Sequence, residues 1–307
     1  MGVLITFFWF LVVVAGCLAA GWLFRGIAMR LAPAGAKREL GTAPLTASFG
    51  MLMILVYILV AVFAPLIAPF PERAVVGTEY MPWDSVHLLG TDNLGRDMLS
   101  RLIFGARNTV GIAFATTVLA FLIGSVFGML AATVSGWLDQ GMSRLVDVLM
   151  AIPALIFALL LLTIFGTSIL TLILVIAVID STRVYRLARS VALNIVVMEY
   201  IEAAKLRGEG LWRLITREIL PNALAPLVAE FGLRFCFVFL AISALSFLGL
   251  GLQPPMADWG SMVKENATLI AFGDITPLLP AGAIALLTVS VNFVVDWQLH
   301  RASGLKE

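Results

Sequence analysis

The chain has 307 residues, 61% of them hydrophobic and only 13% charged, with a formal net charge of +1. A soluble domain of this length is roughly half apolar and a quarter charged, so the composition indicates a membrane protein, and the near-neutral balance points to no nucleic acid or acidic partner. Cys17 and Cys236 lie in separate apolar runs and His87 and His300 are far apart, which leaves no disulfide framework and no His-rich metal site.

A helix needs about 20 apolar residues to cross the hydrocarbon core. Runs of that kind fall at 3–24, 46–69, 108–136, 145–165, 167–181, 226–250 and 277–297 and predict seven spans. The fourth and fifth are separated only by Phe165-Gly166-Thr167, read as a tight turn at a membrane surface. The runs are continuous rather than alternating, which excludes a closed barrel and gives an all-α polytopic fold.

The first run has no charge from Met1 to Phe24, and arginines follow it. A secretory signal has its positive charge in front, so a retained helix fits better. Val14-Ala15-Gly16-Cys17 resembles a lipoprotein cleavage box, but the uncharged run continues beyond Cys17 as far as Arg25. Residues 1–44 are therefore read as an N-terminal span with a cytoplasmic linker.

Arg25, Arg30, Lys37 and Arg38 follow the first span, and Arg183, Arg186, Arg189, Lys205, Arg207, Arg213 and Arg217 follow the fifth. Placing both groups inside also puts Arg144, Arg301 and Lys306 there, and leaves Arg73, Arg96, Arg101, Arg107 and Lys264 outside. The bias predicts an outside N-terminus and a cytoplasmic C-terminus.

Between the second and third spans, Thr91-Asp92 is expected to cap a helix and Asp97 to pair with Arg101. Metal or ligand binding by His87, Asp92 and Asp97 is the alternative. In the third span Ala120, Gly124, Gly128, Ala132 and Gly136 recur every fourth position, a stripe that lets another helix approach closely. Asp180 and Asp296 are placed at span ends, within reach of water.

The segment 182–225 is the most informative. Glu199 to Arg207 is a strong helix former, and Gly208 and Gly210 stop it. Leu211, Leu214, Ile215 and Ile219 line one face of a second short helix, which Pro221 is expected to end. The result is a bent helical knuckle whose apolar stripe and Trp212 are expected to be exposed, to sit in a groove on a soluble partner or to lie on lipid.

Glu230 and Arg234 sit four apart near the predicted start of the sixth span. Such a pair is a functional candidate by default, or a structural device that lets the helix sit beside a polar interface. Gln253-Pro254-Pro255 forces a non-helical turn, and Trp259 fits an aromatic belt. No nucleophile and base meet at depth, and Gly-x4-Gly-Lys-Ser/Thr is absent, so neither hydrolytic chemistry nor phosphate-loop ATP binding is expected.

Glu202-Ala203-Ala204, then Gly208, then Leu220-Pro221 resembles the EAA loop of ABC importer permeases. Glu218 stands where that family usually has an apolar residue. His87-Leu-Leu-Gly-Thr-Asp-Asn-Leu-Gly-Arg-Asp97-Met-Leu-Ser-Arg101 with Gly105-Ala-Arg107, Leu248-Gly-Leu-Gly-Leu-Gln-Pro-Pro255 with Asp258-Trp259-Gly260, and Asp147 with Ala151-Ile-Pro153 are similar to segments of the dipeptide, oligopeptide and nickel permeases, C-type, over about residues 45–300. Family members usually have six spans and a cytoplasmic N-terminus, so residues 1–24 are an addition.

The resemblance implies a type I importer membrane domain, with six core helices and the extra one. Residues 45–107 hold the first core span and outer segment, 108–300 the transport domain with coupling loop 182–225, and 301–307 a cytoplasmic tail. The implied function is a permease subunit forming half of a pathway for peptides or a related small solute. The implied partners are a second permease, two ATPase subunits docked at Glu202, Ala203, Ala204, Gly208, Leu220 and Pro221, and a periplasmic or surface binding protein. In the family the region of Asp92, Gly95, Arg96, Asp97 and Trp259 faces that binding protein or forms part of the gate. This chain then holds no cofactor, ATP and Mg²⁺ being bound by the ATPase subunits, and resides in a bacterial inner membrane. An ion-coupled carrier and a non-transporting scaffold are the rival readings.

Overall fold

The computed structural model describes residues 2–33, 37 and 40–302. Arg38, Lys306 and the tail beyond 302 lie outside the described residues. The fold is all-α: α1 (Gly2–Leu31) and α2 (Leu45–Ile67) precede the segment 68–97, and α3 runs from Met98 to Val134 through a π turn at Ala106–Val110. Then follow α4 (Gly136–Ala151), α5 (Ala154–Phe165), α6 (Ile169–Val196) and α7 (Glu199–Leu206). The helix α8 spans Leu211–Leu248, α9 is Trp259–Asn266, and α10 is Leu278–Ala302.

Among the described residues, α2, α3, α8 and α10 are each long and apolar enough to cross a membrane, and α4 with α5 adds a fifth crossing if the pair counts as one. That pair corrects the fourth predicted span. The chain bends by 90° at Ile152-Pro153. At 1.5 Å per residue α5 is about 18 Å long, well short of a hydrocarbon core of about 30 Å. The fifth predicted span is likewise only the first half of α6, whose second half carries Arg183, Arg186 and Arg189.

The stripe of small residues packs against α6. A Cβ on Gly124 would lie 2.6 Å from the Val184 Cβ, and one on Gly128 would lie 2.6 Å from the Tyr185 carbonyl. Ala120 and Ala132 complete the buried seam, whereas Gly136 lies past the turn at Ser135, where a Cβ would face open space. The two helices run parallel along this seam, with Gly124 facing Ser181 and Val184 and Gly128 facing Tyr185 to Arg189, so their backbones approach closely. Across the bend, α4 is tied to α6 by Arg189 to Asp139 at 2.6 Å and Arg186 to Asp147 at 2.6 Å.

Two apolar cores result. One gathers Phe235, Phe239, Ile242, Leu245 and Trp259 with α3, α6 and α10, and the other joins the ends of α3 and α6 to α7 and the start of α8. Pro221 does not end a helix as expected. A π turn at Leu214–Ile219 leads straight into it, and the wider turn accommodates a residue without an N–H to donate.

Candidate functional site

The knuckle begins where α6 gives way at Val197-Met198. Helix α7 closes in a Schellman turn: Glu209 N–H donates to the Ala204 carbonyl and Gly208 N–H to that of Lys205. Gly208 adopts φ +76°, a conformation that costs other residues about 1–2 kcal/mol. Glu209 accepts from Arg207 at 3.0 Å, which holds the bend from outside.

Most of the apolar stripe reverses the expectation. Leu214, Ile215 and Ile219 are buried against Ile201, Ala204 and the ends of α3 and α6. They glue the knuckle to its own chain. Trp212, at 63%, and Leu211 of the stripe are exposed as expected, and Leu206 at 85% and Tyr200 are exposed as well. The Glu-Ala-Ala triplet divides, Glu202 and Ala203 facing out and Ala204 facing in. Among the described residues Glu202 has no ion-pair partner, Leu220 is half-buried and Pro221 is exposed.

At the other end a polar cap forms from the segments 69–101 and 249–276. Asp97, not Asp92, caps α3, accepting from Ser100 N–H at 2.8 Å and from Ser100 Oγ at 2.7 Å. His87 Nδ1 lies 3.1 Å from the same carboxylate. Arg101 turns away from Asp97, and its guanidinium lies 3.2 Å from Asp92 and 3.4 Å from Glu265. Arg96 binds Asp92 at 2.7 Å and Glu265 at 3.4 Å. Gly95, at φ +71°, has the Gly77 carbonyl 2.2 Å from where a Cβ would stand. His87 and Asp97 are thus together, Asp92 belongs to the arginines, and no group of three or more metal-ligating side chains occurs among the described residues.

The same cap ties the start of α3 and the end of α8 together. Trp259, expected in an aromatic belt, is 1% exposed, and its indole N–H donates to the Leu102 carbonyl at 2.9 Å. Tyr57 and Phe239 flank it edge-on. Asp258 caps α9 through Ser261 N–H and accepts from Thr109 Oγ1 at 2.9 Å. The π turn in α3 carries Thr109 and Asn108, both bonded to this loop or its neighbour Glu72. Burial pushes the Asp258 carboxyl above the usual range, and burial does the same to Glu265 against the pull of Arg101 and Arg96. Asp84 is held below it by the backbone N–H groups of His87 and Val86.

A third feature lies between. Arg234 Nε is 2.6 Å from Glu230, so the predicted pair forms. Because α8 begins at Leu211, the pair sits deep in the helix rather than near its start. Asp180 is not at a water-filled span end either. It is buried in α6, 3.3 Å from Arg183 and 3.7 Å from Arg234. The cross-helix link to Arg234 had a sequence signal, a carboxylate and a guanidinium each stranded in an apolar run, but spacing along one chain does not show which helices meet.

Residues 124–302 match the family of binding-protein-dependent transport system inner membrane components. The dipeptide transport system permease protein DppC of Alkalihalophilus pseudofirmus is 33% identical over 248 residues, 80% of this chain and 82% of that one. The glutathione transport system permease protein GsiD of Pectobacterium atrosepticum is 31% identical over 252 residues, again 80% and 82%. A crystal structure of an amino acid ABC transporter with histidines aligns at 18% identity with a TM-score of 0.47, over 66% of this chain and 94% of that one.

Proposed function

Because the chain belongs to the family of binding-protein-dependent transport system inner membrane components, we propose that its knuckle is the seat of separate ATPase subunits that drive solute import. The chain is a multi-pass membrane permease of an ABC importer for peptides. It is a transport component rather than a catalyst. ATP and Mg²⁺ are handled by the partner subunits, a second permease completes a type I pathway, and a binding protein delivers the solute. The knuckle faces the cytoplasm of a bacterial cell and the N-terminus faces out, in line with the placement of lysine and arginine.

One observation carries this reading: a rigidly closed bend presents Leu206 and Trp212 to solvent beside the unpaired Glu202, while its own apolar stripe is buried beneath. An amphipathic loop lying on lipid would turn that stripe outward. Here the buried stripe fixes the bend to α3, α6 and α8, so that a push on the knuckle tilts those helices as a body.

Gly208→Pro removes an N–H used in the Schellman turn and cannot adopt the positive φ, and Glu202→Arg reverses the one free charge of the triplet. Either variant is expected to insert in the membrane normally yet hydrolyse ATP without uptake, measured on reconstituted vesicles. Normal transport in either would contradict the assignment. A reporter fused ahead of residue 3 should read as outside.

A further inference from the structure

A cavity of about 350 Å³ opens between α5, α6 and α8, walled by Ala158, Ile176, Phe237 and Ala241. Among the described residues, the charged groups lining it are Asp180 and Arg183. Its volume lies at the small end of the range for ligand sites, about 300–1,000 Å³. Asp180 sits about 17 Å along α6 from its first residue, at the end of the apolar run Ile169–Ile179.

The Asp180 carboxylate is only half satisfied. Its Oδ1 lies 3.3 Å from Arg183 and 3.7 Å from Arg234, whereas its Oδ2 is buried with no hydrogen-bond partner. Arg234 is committed to Glu230 at 2.6 Å and leans on the Phe237 ring. A buried acceptor without a donor carries a desolvation penalty that an incoming N–H group can relieve. Arg183, with its side chain 44% exposed, offers the opposite charge at the mouth. Apolar walls, one unfilled anionic acceptor and one accessible cation suit a small zwitterion whose two ends are charged.

We propose that Asp180 receives the α-ammonium group of a short peptide held in this cavity during passage, with Arg183 facing its carboxylate. This rests on the permease reading above and adds to it a residue that selects solutes with a free amino terminus.

The test uses the purified permease–ATPase assembly without the binding protein, titrated with alanyl-alanine and with N-acetyl-alanyl-alanine. The wild type is expected to bind the free amine at least about tenfold more tightly, the size of one charge-assisted hydrogen bond. Asp180→Asn should abolish that preference while leaving thermal unfolding of the assembly unchanged, and Asp180→Glu should restore part of it. The proposal is overturned if the wild type does not bind alanyl-alanine, if Asp180→Asn keeps the preference, or if the variant weakens both probes equally. ATP-driven uptake by the wild type, with the binding protein added back, is measured in parallel. Its presence alongside a negative binding result removes the cavity site alone, and its absence removes the permease reading and the site with it.

Discussion

The two ends of the molecule solve opposite problems. The polar cap buries Asp92, Arg96, Asp97, Arg101 and Asp258, and matches nearly every one to a partner within its own chain. The knuckle buries only apolar side chains and small residues, and leaves Leu206, Trp212 and Glu202 facing outward. A polar network paired largely within its own chain holds one shape. An unsatisfied apolar surface on a rigid bend needs another protein to cover it.

The comparison breaks most visibly in the cap. Asp92→Asn leaves Arg96 and Arg101 short of a carboxylate, and removing one partner of a buried ion pair costs about 3–5 kcal/mol. The variant should unfold at a markedly lower temperature in detergent, and an unchanged midpoint would mean that water reaches the Arg96 and Arg101 guanidinium groups. Next in size is the seam that connects the two ends. Gly128→Val drives a side chain into the α6 backbone, and overpacking of this kind costs about 1–3 kcal/mol, readable by the same melting experiment.

A smaller effect depends on pH. The Asp258 and Glu265 carboxyls titrate higher in the folded chain than the ordinary acid value near 4, so the native state binds more protons than the unfolded one in the interval between. Their contribution therefore rises as pH falls from neutral through that interval and levels off below about 4. Asp258→Asn keeps a competent helix cap while removing the charge, and should flatten the dependence of melting temperature on pH relative to wild type. A steeper dependence would contradict the burial argument. Smallest of all in stability, and largest in function, is the knuckle surface. Trp212→Ala and Leu206→Ser should shift unfolding by no more than about 0.5 kcal/mol, yet ATP-driven uptake should fall steeply.

How much of this was legible beforehand follows the same division. Continuous apolar runs announce spans, and a small residue at every fourth position announces a close helix contact, because both are local repeats. Gly208 was readable as a bend because a positive φ favours glycine. The 90° break at Ile152-Pro153 was not, since the residues on both sides of it are as apolar as a straight span. Nor was the continuity through Pro221, where a preceding π turn absorbs the defect that proline makes in a regular helix.

Partners distant in sequence were the hardest. Arg101 lies four residues from Asp97 and was expected to bind it, but capping of α3 claims Asp97, and Glu265 reaches Arg101 from the far side of the chain. Trp259 could serve a membrane interface or a core, and only the Leu102 carbonyl beside its N–H decides between them. The stripe Leu214, Ile215 and Ile219 was readable as an apolar face, while the surface it covers belongs to helices remote in sequence.

Under the proposed function, solute import depends on a nucleotide-hydrolysing subunit gripping the knuckle. Cysteine placed at Leu206 or Trp212, in a chain whose Cys17 and Cys236 are replaced by serine, gives the most direct test by cross-linking within the intact assembly. A covalent adduct with the ATPase subunit is expected from both positions, and none from cysteine at Leu94, an exposed residue of the polar cap. Adducts with the binding protein, or labelling of position 212 by an impermeant reagent added outside intact cells, would contradict it.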